Sequence, residues 1–333
     1  MKILIAGGCG FVGSNLCIHL KKLGYIVSSA DNLQRKGSKY NLKRIKDFGI
    51  HNTKIDLSKN SNYKKLKKYN IIIDCCAEPS VEASKKNFDI VFDSNLISTK
   101  NLLSKCIRDK SKFIFISSSR VYSIKNLTLI GMKKKKKINM NFSTESPKSI
   151  YGFTKLASED LIKEFSYLFK LDFLINRFGV IAGPWQFGKI DQGFVSLFVW
   201  RFLNKKKIKF IGYNGNGLQQ RDILHINDFC LLIEKQIKKF KVIKNKSFTV
   251  GGGSKNTASL RKIFQICNKI TGNKPKIKKI KSTSIYDIPY YKSCNDEVMK
   301  YYNWNVSKNL NEIIYDIYIW QKKNINLLKK YLD

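Results

Sequence analysis

The chain has 333 residues, 43% of them hydrophobic, including 21 Phe and 16 Tyr, enough to bury a large core and too apolar for a disordered chain. No apolar run approaches the roughly 20 residues that a membrane-spanning helix needs. Eight scattered cysteines without CxxC spacing and only three histidines speak against a zinc site.

The formal net charge is +39, which taken alone suggests nucleic acid or an anionic membrane. Arginine, however, fills only eight positions, and the lysine excess runs the whole length. Lysine, asparagine and isoleucine are abundant together, as AT-rich codons produce without selection for a partner. No nucleic-acid or membrane partner is expected, and the thiols are expected to be free in a reducing cytoplasm. The N-terminal KILIAG lacks a basic leader and a cleavage site, so it reads as a strand and not a signal peptide.

In chain order, KILIAG, YIVSSAD, IIIDCCA, KFIFISSS and DFLINRF are short β-rich runs. Helical patterns such as VGSNLCIHLKKLG and FDSNLISTKNLLSKCIRD lie between them. This alternation predicts an α/β fold, a doubly wound parallel sheet of the Rossmann type with ligands at the C-terminal strand ends. GMKKKKK (131–137) reads as a solvated loop before the helix carrying SIYGFTK. After Phe178 the rhythm loosens into GPWQFGKIDQG and GYNGNGLQQRD, then a strand-like SFTVGGG and a helix from about Ser259. Residues 1–177, with contributions from about 212–252, are expected to bind a cofactor. Residues 178–333 are expected to form mainly a smaller substrate-binding lobe.

Gly7, Gly10 and Gly13 have G-x-x-G-x-x-G spacing after one predicted strand and at the start of a helix. Bare glycines permit a tight turn and a close approach of backbone to a pyrophosphate, whose charge the helix N-terminus stabilises. Phe11 and Val12 fall inside the motif, and Asp31 closes the next strand at about the 20-residue offset of a dinucleotide fingerprint. A carboxylate there accepts bonds from ribose hydroxyls and repels a 2′-phosphate, favouring NAD over NADP, with Arg35 and Lys36 nearby as a countersignal. Ser117 to Ser119 end a predicted strand, where a hydroxyl faces the ligand crevice or merely caps a turn. Tyr151 and Lys155 lie four apart, hence on one helix face. An ammonium there favours the phenolate, making a base near neutrality from a phenol of ordinary value about 10. The bland alternative is a solvated helix face.

These motifs together resemble an extended short-chain dehydrogenase/reductase of the nucleotide-sugar epimerase and dehydratase branch, over essentially the whole chain. The resemblance implies that Tyr151 and Lys155 match YxxxK and that Ser118 is the catalytic hydroxyl. It implies NAD contacts from Asn32, Arg35, Asp56, Leu57, Ala77 and Asn95, a nucleotide-diphosphate-sugar substrate, homodimers and a role in building polysaccharides. Ser119 and Arg120 stand where the branch's dehydratases carry an acid pair; neither is a general acid–base, which leaves epimerisation with recycled NAD. GGCGFVGSNL, DNLQRKGSKYNL, GPWQFGKIDQGF and GNGLQQRDILHINDF resemble the CDP-paratose (CDP-tyvelose) 2-epimerase group, which oxidises C2. By that resemblance Gln186, Phe187, Asp191 and Gln192 line the sugar end with Ser119 and Arg120, and Arg221 meets the diphosphate. Three features depart from the pattern: Ser123 ends VYS, Cys75-Cys76-Ala77 replaces His-x-Ala, and Pro289 replaces a phosphate-binding arginine. A nucleotide-sugar 4-epimerase, a reductase that releases its cofactor, and a non-catalytic basic binding protein stay open as alternatives.

Overall fold

The computed structural model describes residues 1–80, 87–133, 136–189 and 192–332. Its Cα positions cluster into two compact units. The first comprises Met1–Val121, Ser149–Arg177 and Cys230–Phe248; the second comprises Tyr122–Lys148, Phe178–Phe229 and Thr249–Asp333.

The first unit begins with β1 (Lys2–Ala6), α1 (Phe11–Lys22), β2 (Ile26–Asp31), α2 (Ser38–Asp47), β3 (His51–Lys54) and β4 (Ile71–Asp74). α3 (Phe88–Phe92) runs through a π-helical turn, Asp93–Ile97, into α4 (Ser98–Asp109), followed by β5 (Lys112–Ser118). α5 (Ile124–Lys133) belongs to the second unit, and α6 (Ile150–Phe169) and β6 (Phe173–Phe178) follow. The seven-stranded sheet has the order β10-β6-β5-β4-β1-β2-β3, with β10 at Lys246–Val250. β3, β2, β1, β4 and β5 are parallel, with Ala6 opposite both Ala30 and Asp74, and Asp74 opposite Phe115. The outward order 1-2-3 and 1-4-5-6 on either side of β1 creates a topological switch point at the C-terminal end of β1, where a ligand crevice forms.

Strands buried on both faces read as near-continuous apolar runs. ILIA and III do so here: Ile3, Leu4, Ile5, Ile72 and Ile73 are all buried completely. Leu4, Ile72, Phe113 and Phe115 from the sheet pack with Leu102, Cys106 and Ile162 from α4 and α6. Each fully buried Leu, Ile or Phe contributes about 1.5–3 kcal/mol, so this layer fixes where the strand ends lie. β3 escaped the sequence reading because HNTK is a polar edge strand.

The second unit continues with β7 (Val180–Ala182), α7 (Phe194–Leu203), β8 (Ile208–Ile211), β9 (Gln220–His225) and α8 (Ile226–Lys239), which runs on into the first unit. β11 (Thr257–Ser259), α9 (Leu260–Thr271), β12 (Ile277–Ile280), α10 (Asp296–Tyr302), α11 (Leu310–Lys323) and α12 (Ile325–Leu332) complete it. Its core joins Val195, Phe198 and Phe202 of α7 to Ile263 of α9 and Ile313, Ile314 and Ile317 of α11. Two small sheets, β11-β9-β7 and β12-β8, edge this core.

Tyr122–Lys148 groups with the second unit because its bonds lead there: the Tyr122 hydroxyl lies 2.6 Å from Thr249 Oγ1, and Ile138 bridges Ser293. The lysine-rich stretch also departs from a plain loop. Gly131–Lys133 form the last turn of α5, and Lys137 pairs with Asp296 at 3.1 Å. No helix among the described residues is long and apolar enough to cross a membrane.

Candidate active site

The three glycines of the loop between β1 and α1 each meet a different constraint. Gly7 has φ +72°, and a Cβ there would lie 2.9 Å from the Cys75 carbonyl. A Cβ on Gly13 would lie 2.3 Å from the Gly7 carbonyl oxygen and 2.8 Å from Gly8 Cα, so only glycine lets α1 pack this close to the turn. Gly10 differs: its Cβ would meet a single atom, the Gly7 oxygen at 3.2 Å. Gly10 also begins α1 with no side-chain cap, and the first turn, Phe11, Val12 and Gly13, holds no acid. A tight first glycine, an open second one and a packed third one make the arrangement that admits a pyrophosphate at a helix N-terminus.

Asp31 ends β2 beside this loop. Its carboxylate accepts the Cys9 N–H (3.0 Å) and the Leu33 N–H (2.8 Å), which fixes both oxygens. Burial pushes its pKa up, against those two bonds and the nearby Arg35 charge. Asn32 accepts the Gln34 N–H, and Arg35 reaches Glu78 at 3.8 Å. Asp56 accepts both the backbone N–H and the hydroxyl of Ser58, and Leu57 is held by the Asn101 amide on its carbonyl at 2.8 Å.

Ala77 lies in the loop after β4. Next to it the Glu78 N–H donates to Asn95 Oδ1 (2.8 Å), and Asn95 Nδ2 donates to Thr154 Oγ1 (3.0 Å). Asn95 is buried completely and sits in the π-helical turn. It therefore ties the β4 loop to α6 one turn from Tyr151. The Ser149 hydroxyl caps α6 by accepting the Gly152 N–H, which explains why the helix starts where Tyr151 and Lys155 share its inner face. Tyr151 is 8% exposed and Lys155 only 1%. Lys155 Nζ donates to the Cys76 carbonyl (3.2 Å) and stands 4.4 Å from the centre of the Phe115 ring. This lysine is not on a solvated face. Ser118 ends β5 with its hydroxyl accepting the Arg120 N–H (3.2 Å), and Ser119 and Arg120 turn the chain away in a 3₁₀ segment.

Three groups in the same unit went unnoticed in the sequence. The Ser117 hydroxyl donates to Glu159 Oε1 (2.5 Å), and Arg177 donates from Nε to both Glu159 oxygens (3.0 Å) and from Nη2 to Oε2 (2.7 Å). Asp74, at the end of β4, is buried completely and accepts the Thr99 hydroxyl. Glu159, four residues after Lys155, carried the one available signal, the helical spacing that also pairs Tyr151 with Lys155.

Gln186, Phe187, Gln192 and Arg221 lie in the second unit. Gln186 donates to the Ile181 carbonyl (3.1 Å), while its buried Oε1 accepts no bond from a described residue. The Phe187 ring packs on Trp320 and Tyr331, with centroids 5.9 and 4.8 Å away. Gln192 exchanges backbone bonds with Lys189, and Asp191 falls outside the described residues. Arg221 donates to Asp287 (2.7 Å) and to its neighbour Gln220. The eight cysteines are all free thiols, and the described residues hold no cluster of three or more metal-ligating side chains.

A glycine loop at a switch point and a buried lysine one turn from a buried tyrosine can bind a dinucleotide and move a proton beside it. The chain resembles CDP-paratose 2-epimerase of Salmonella typhi, at 29% identity over 92% of this chain and all of that protein. It also resembles the UDP-glucuronate 4-epimerase of Thermodesulfobacterium geofontis, at 27% over 98% of each chain. Among solved structures, UDP-glucuronic acid 4-epimerase from Bacillus cereus, in complex with UDP-glucuronic acid and NAD, superposes with a TM-score of 0.84 at 25% identity. That match covers 97% of this chain and 99% of the other. A family model matches residues 3–251, and the chain belongs to the NAD dependent epimerase/dehydratase family.

Proposed function

We propose that this chain is a nucleotide-diphosphate-sugar epimerase that keeps its NAD, oxidising one ring carbon transiently and restoring it in the opposite configuration. The observation that carries this reading is Lys155, buried to 1% and one helical turn from Tyr151 in the unit that also holds the glycine loop. Bound NAD supplies reversible hydride exchange with a sugar carbon. Gly7, Gly10 and Gly13 give its pyrophosphate room, Asp31 takes the ribose hydroxyls, and Asp56 and Leu57 flank the adenine. Ala77 and Asn95 shape the nicotinamide side.

Tyr151 takes the proton from the hydroxyl on the reacting carbon and returns it after the ketone has presented its other face. The Lys155 ammonium stabilises the phenolate, and Ser118 orients the same hydroxyl. Ser119 and Arg120 cannot drive out water as an acid pair does, which favours epimerisation over dehydration. In this proposal Gln186, Phe187, Asp191 and Gln192 form the sugar end, and Arg221, steadied by Asp287, meets the diphosphate. The Phe187 ring packs on Trp320 and Tyr331. We further take the chain to work as a homodimer.

The carbon is assigned as C2 of a CDP-linked hexose, on the four stretches shared with the 2-epimerase group. Reaction at C4 of a UDP-linked sugar is the second reading, favoured by the full-length similarity to a 4-epimerase. A panel of CDP- and UDP-hexoses deuterated at C2 or at C4 decides between them: deuterium slows turnover only at the oxidised carbon. Tyr151→Phe is expected to lower turnover at least about 100-fold while NAD stays bound. Wild-type activity in that variant overturns the proposal.

A further inference from the structure

Lys155 is one of two lysines buried among the described residues. The other, Lys105, has its own carboxylate, Asp109, at 2.5 Å. A buried ammonium loses its hydration and holds its proton only where a negative charge or strong acceptors replace the water. Lys155 has the Cys76 carbonyl and the Phe115 ring face. Of the buried carboxylates, Glu159, four residues further along α6, is engaged by Arg177 and Ser117, and Asp74 is the one on which the Lys155 charge acts.

Several independent features bring Asp74 and Lys155 to one place. Asp74 and Phe115 are register partners on neighbouring parallel strands, so their side chains leave the same face of the sheet. Lys155 stands over that same Phe115 ring. Asp74 Oδ1 accepts the Cys76 N–H (2.9 Å) while Lys155 donates to the Cys76 carbonyl, so one residue is gripped from its two backbone ends. Asp74 Oδ2 accepts the Thr99 hydroxyl (2.7 Å). The thiols of Cys75, Cys76 and Cys106 feel this carboxylate's charge, and burial drives all three towards their neutral forms. Burial pushes the Asp74 pKa up, and the Lys155 charge is the largest influence pulling it back.

We infer that Asp74 is a positioning residue of the active site, a buried counter-charge that keeps Lys155 an ammonium one helical turn from Tyr151. The inference rests on the epimerase reading of Tyr151 and Lys155. It goes beyond that reading by assigning the lysine's charge to a carboxylate from a different strand.

The test is Asp74→Asn, which keeps the shape and the Cys76 contact and removes the charge. Taking away a negative charge makes neighbouring protons easier to lose, so both limbs of the pH–rate profile are expected to move to lower pH. The movement is roughly half a unit or more. Competitive acetylation of the full-length protein, followed by peptide mass spectrometry with exposed Lys163 as internal standard, gives a readout without turnover. The Lys155 amine is expected to become reactive at lower pH in the variant. If Asp74→Asn fails to fold, Thr99→Val removes the hydroxyl that favours the carboxylate and is expected to move both readouts the same way by less. Profiles and labelling curves that superpose on the wild type overturn the inference. The labelling arm judges Asp74 even if Tyr151→Phe keeps its activity and the epimerase reading falls.

Discussion

Glu159 offers the sharpest test of how the site is held. It lies four residues beyond Lys155 on α6, is completely buried, and binds Arg177 of β6 through three N–H···O contacts of 2.7–3.0 Å. The same carboxylate takes the hydroxyl of Ser117, the residue before Ser118. One acid thus clamps the helix of Tyr151 and Lys155 to the strand of Ser118. Glu159→Ala takes away the charge onto which the Arg177 guanidinium, 5% exposed, forks. Breaking a buried pair in this way costs about 3–5 kcal/mol, a large share of a total stability of about 5–15 kcal/mol. Ser117→Ala removes one hydrogen bond to a charged group and is expected to cost about 1.5–3 kcal/mol. Urea denaturation followed by circular dichroism measures both. The double variant Glu159→Leu with Arg177→Met removes both charges and is expected to recover most of the loss. A loss under about 1 kcal/mol for Glu159→Ala, or a double variant no better than the single one, refutes the clamp.

The glycines separate fold from cofactor binding. Gly13→Ala drives a Cβ to 2.3 Å from the Gly7 oxygen and is expected to lower the melting temperature by several degrees. Gly10→Ala meets one atom at 3.2 Å and is expected to melt near the wild type yet bind NAD more weakly by calorimetry. For the carboxylate of Glu234, burial opposes ionisation, but bonds from Lys238 and His19 prevail and hold its pKa below the ordinary value. A lowered carboxylate contributes stability that is present above its unfolded value and lost as pH falls through the folded one. The stability gap between wild type and Glu234→Gln, a few tenths of a kcal/mol after discounting exposed Lys238, is therefore expected to close between about pH 5 and pH 3. Burial pushes the Cys9 thiol up to about 12 and raises Cys17 and Cys230 as well. Native protein is expected to leave these three unmodified by maleimide at neutral pH, whereas urea exposes all eight; rapid native labelling of Cys9 contradicts the packing.

Much of the site was legible because its signals are local. The glycine triplet, the Tyr151–Lys155 spacing and the Asp31 offset are each set by a turn or a helical period, which a linear reading detects. The contacts that hold these residues are not local. Ser117 and Glu159 are 42 positions apart, and Thr99 and Asp74 are 25 apart. Nothing in KLASED marks its glutamate as buried, because an acid in a charged helix reads as solvated. At the sugar end the packing partners were hidden from a linear reading. Phe187 sits in a Gly- and Gln-rich stretch, and its ring joins an aromatic cluster with Trp320 and Tyr331. An apolar residue in a polar loop carries no mark of which partner it packs against.

The lysine bias sharpens this point. With 63 cations against 24 acids, a lysine at a given position says little, and information moves to the departures from the bias. The arginines are one departure. Arg177 forks onto Glu159, Arg221 spans Asp287 and a carbonyl, Arg108 joins Asp109 and the face of Tyr63, and Arg201 and Arg261 reach backbone carbonyls. The fork onto Glu159 uses the planar, diverging donors of a guanidinium, a geometry that a point-like ammonium does not match. Burial is the other departure. A lysine that is merely frequent stays in water, because removing its charge from water costs several kcal/mol. Lys155 bears that cost at the Cys76 carbonyl and the Phe115 ring, and that burial one turn from Tyr151, more than the YxxxK spelling, is the physical ground for the proposed chemistry.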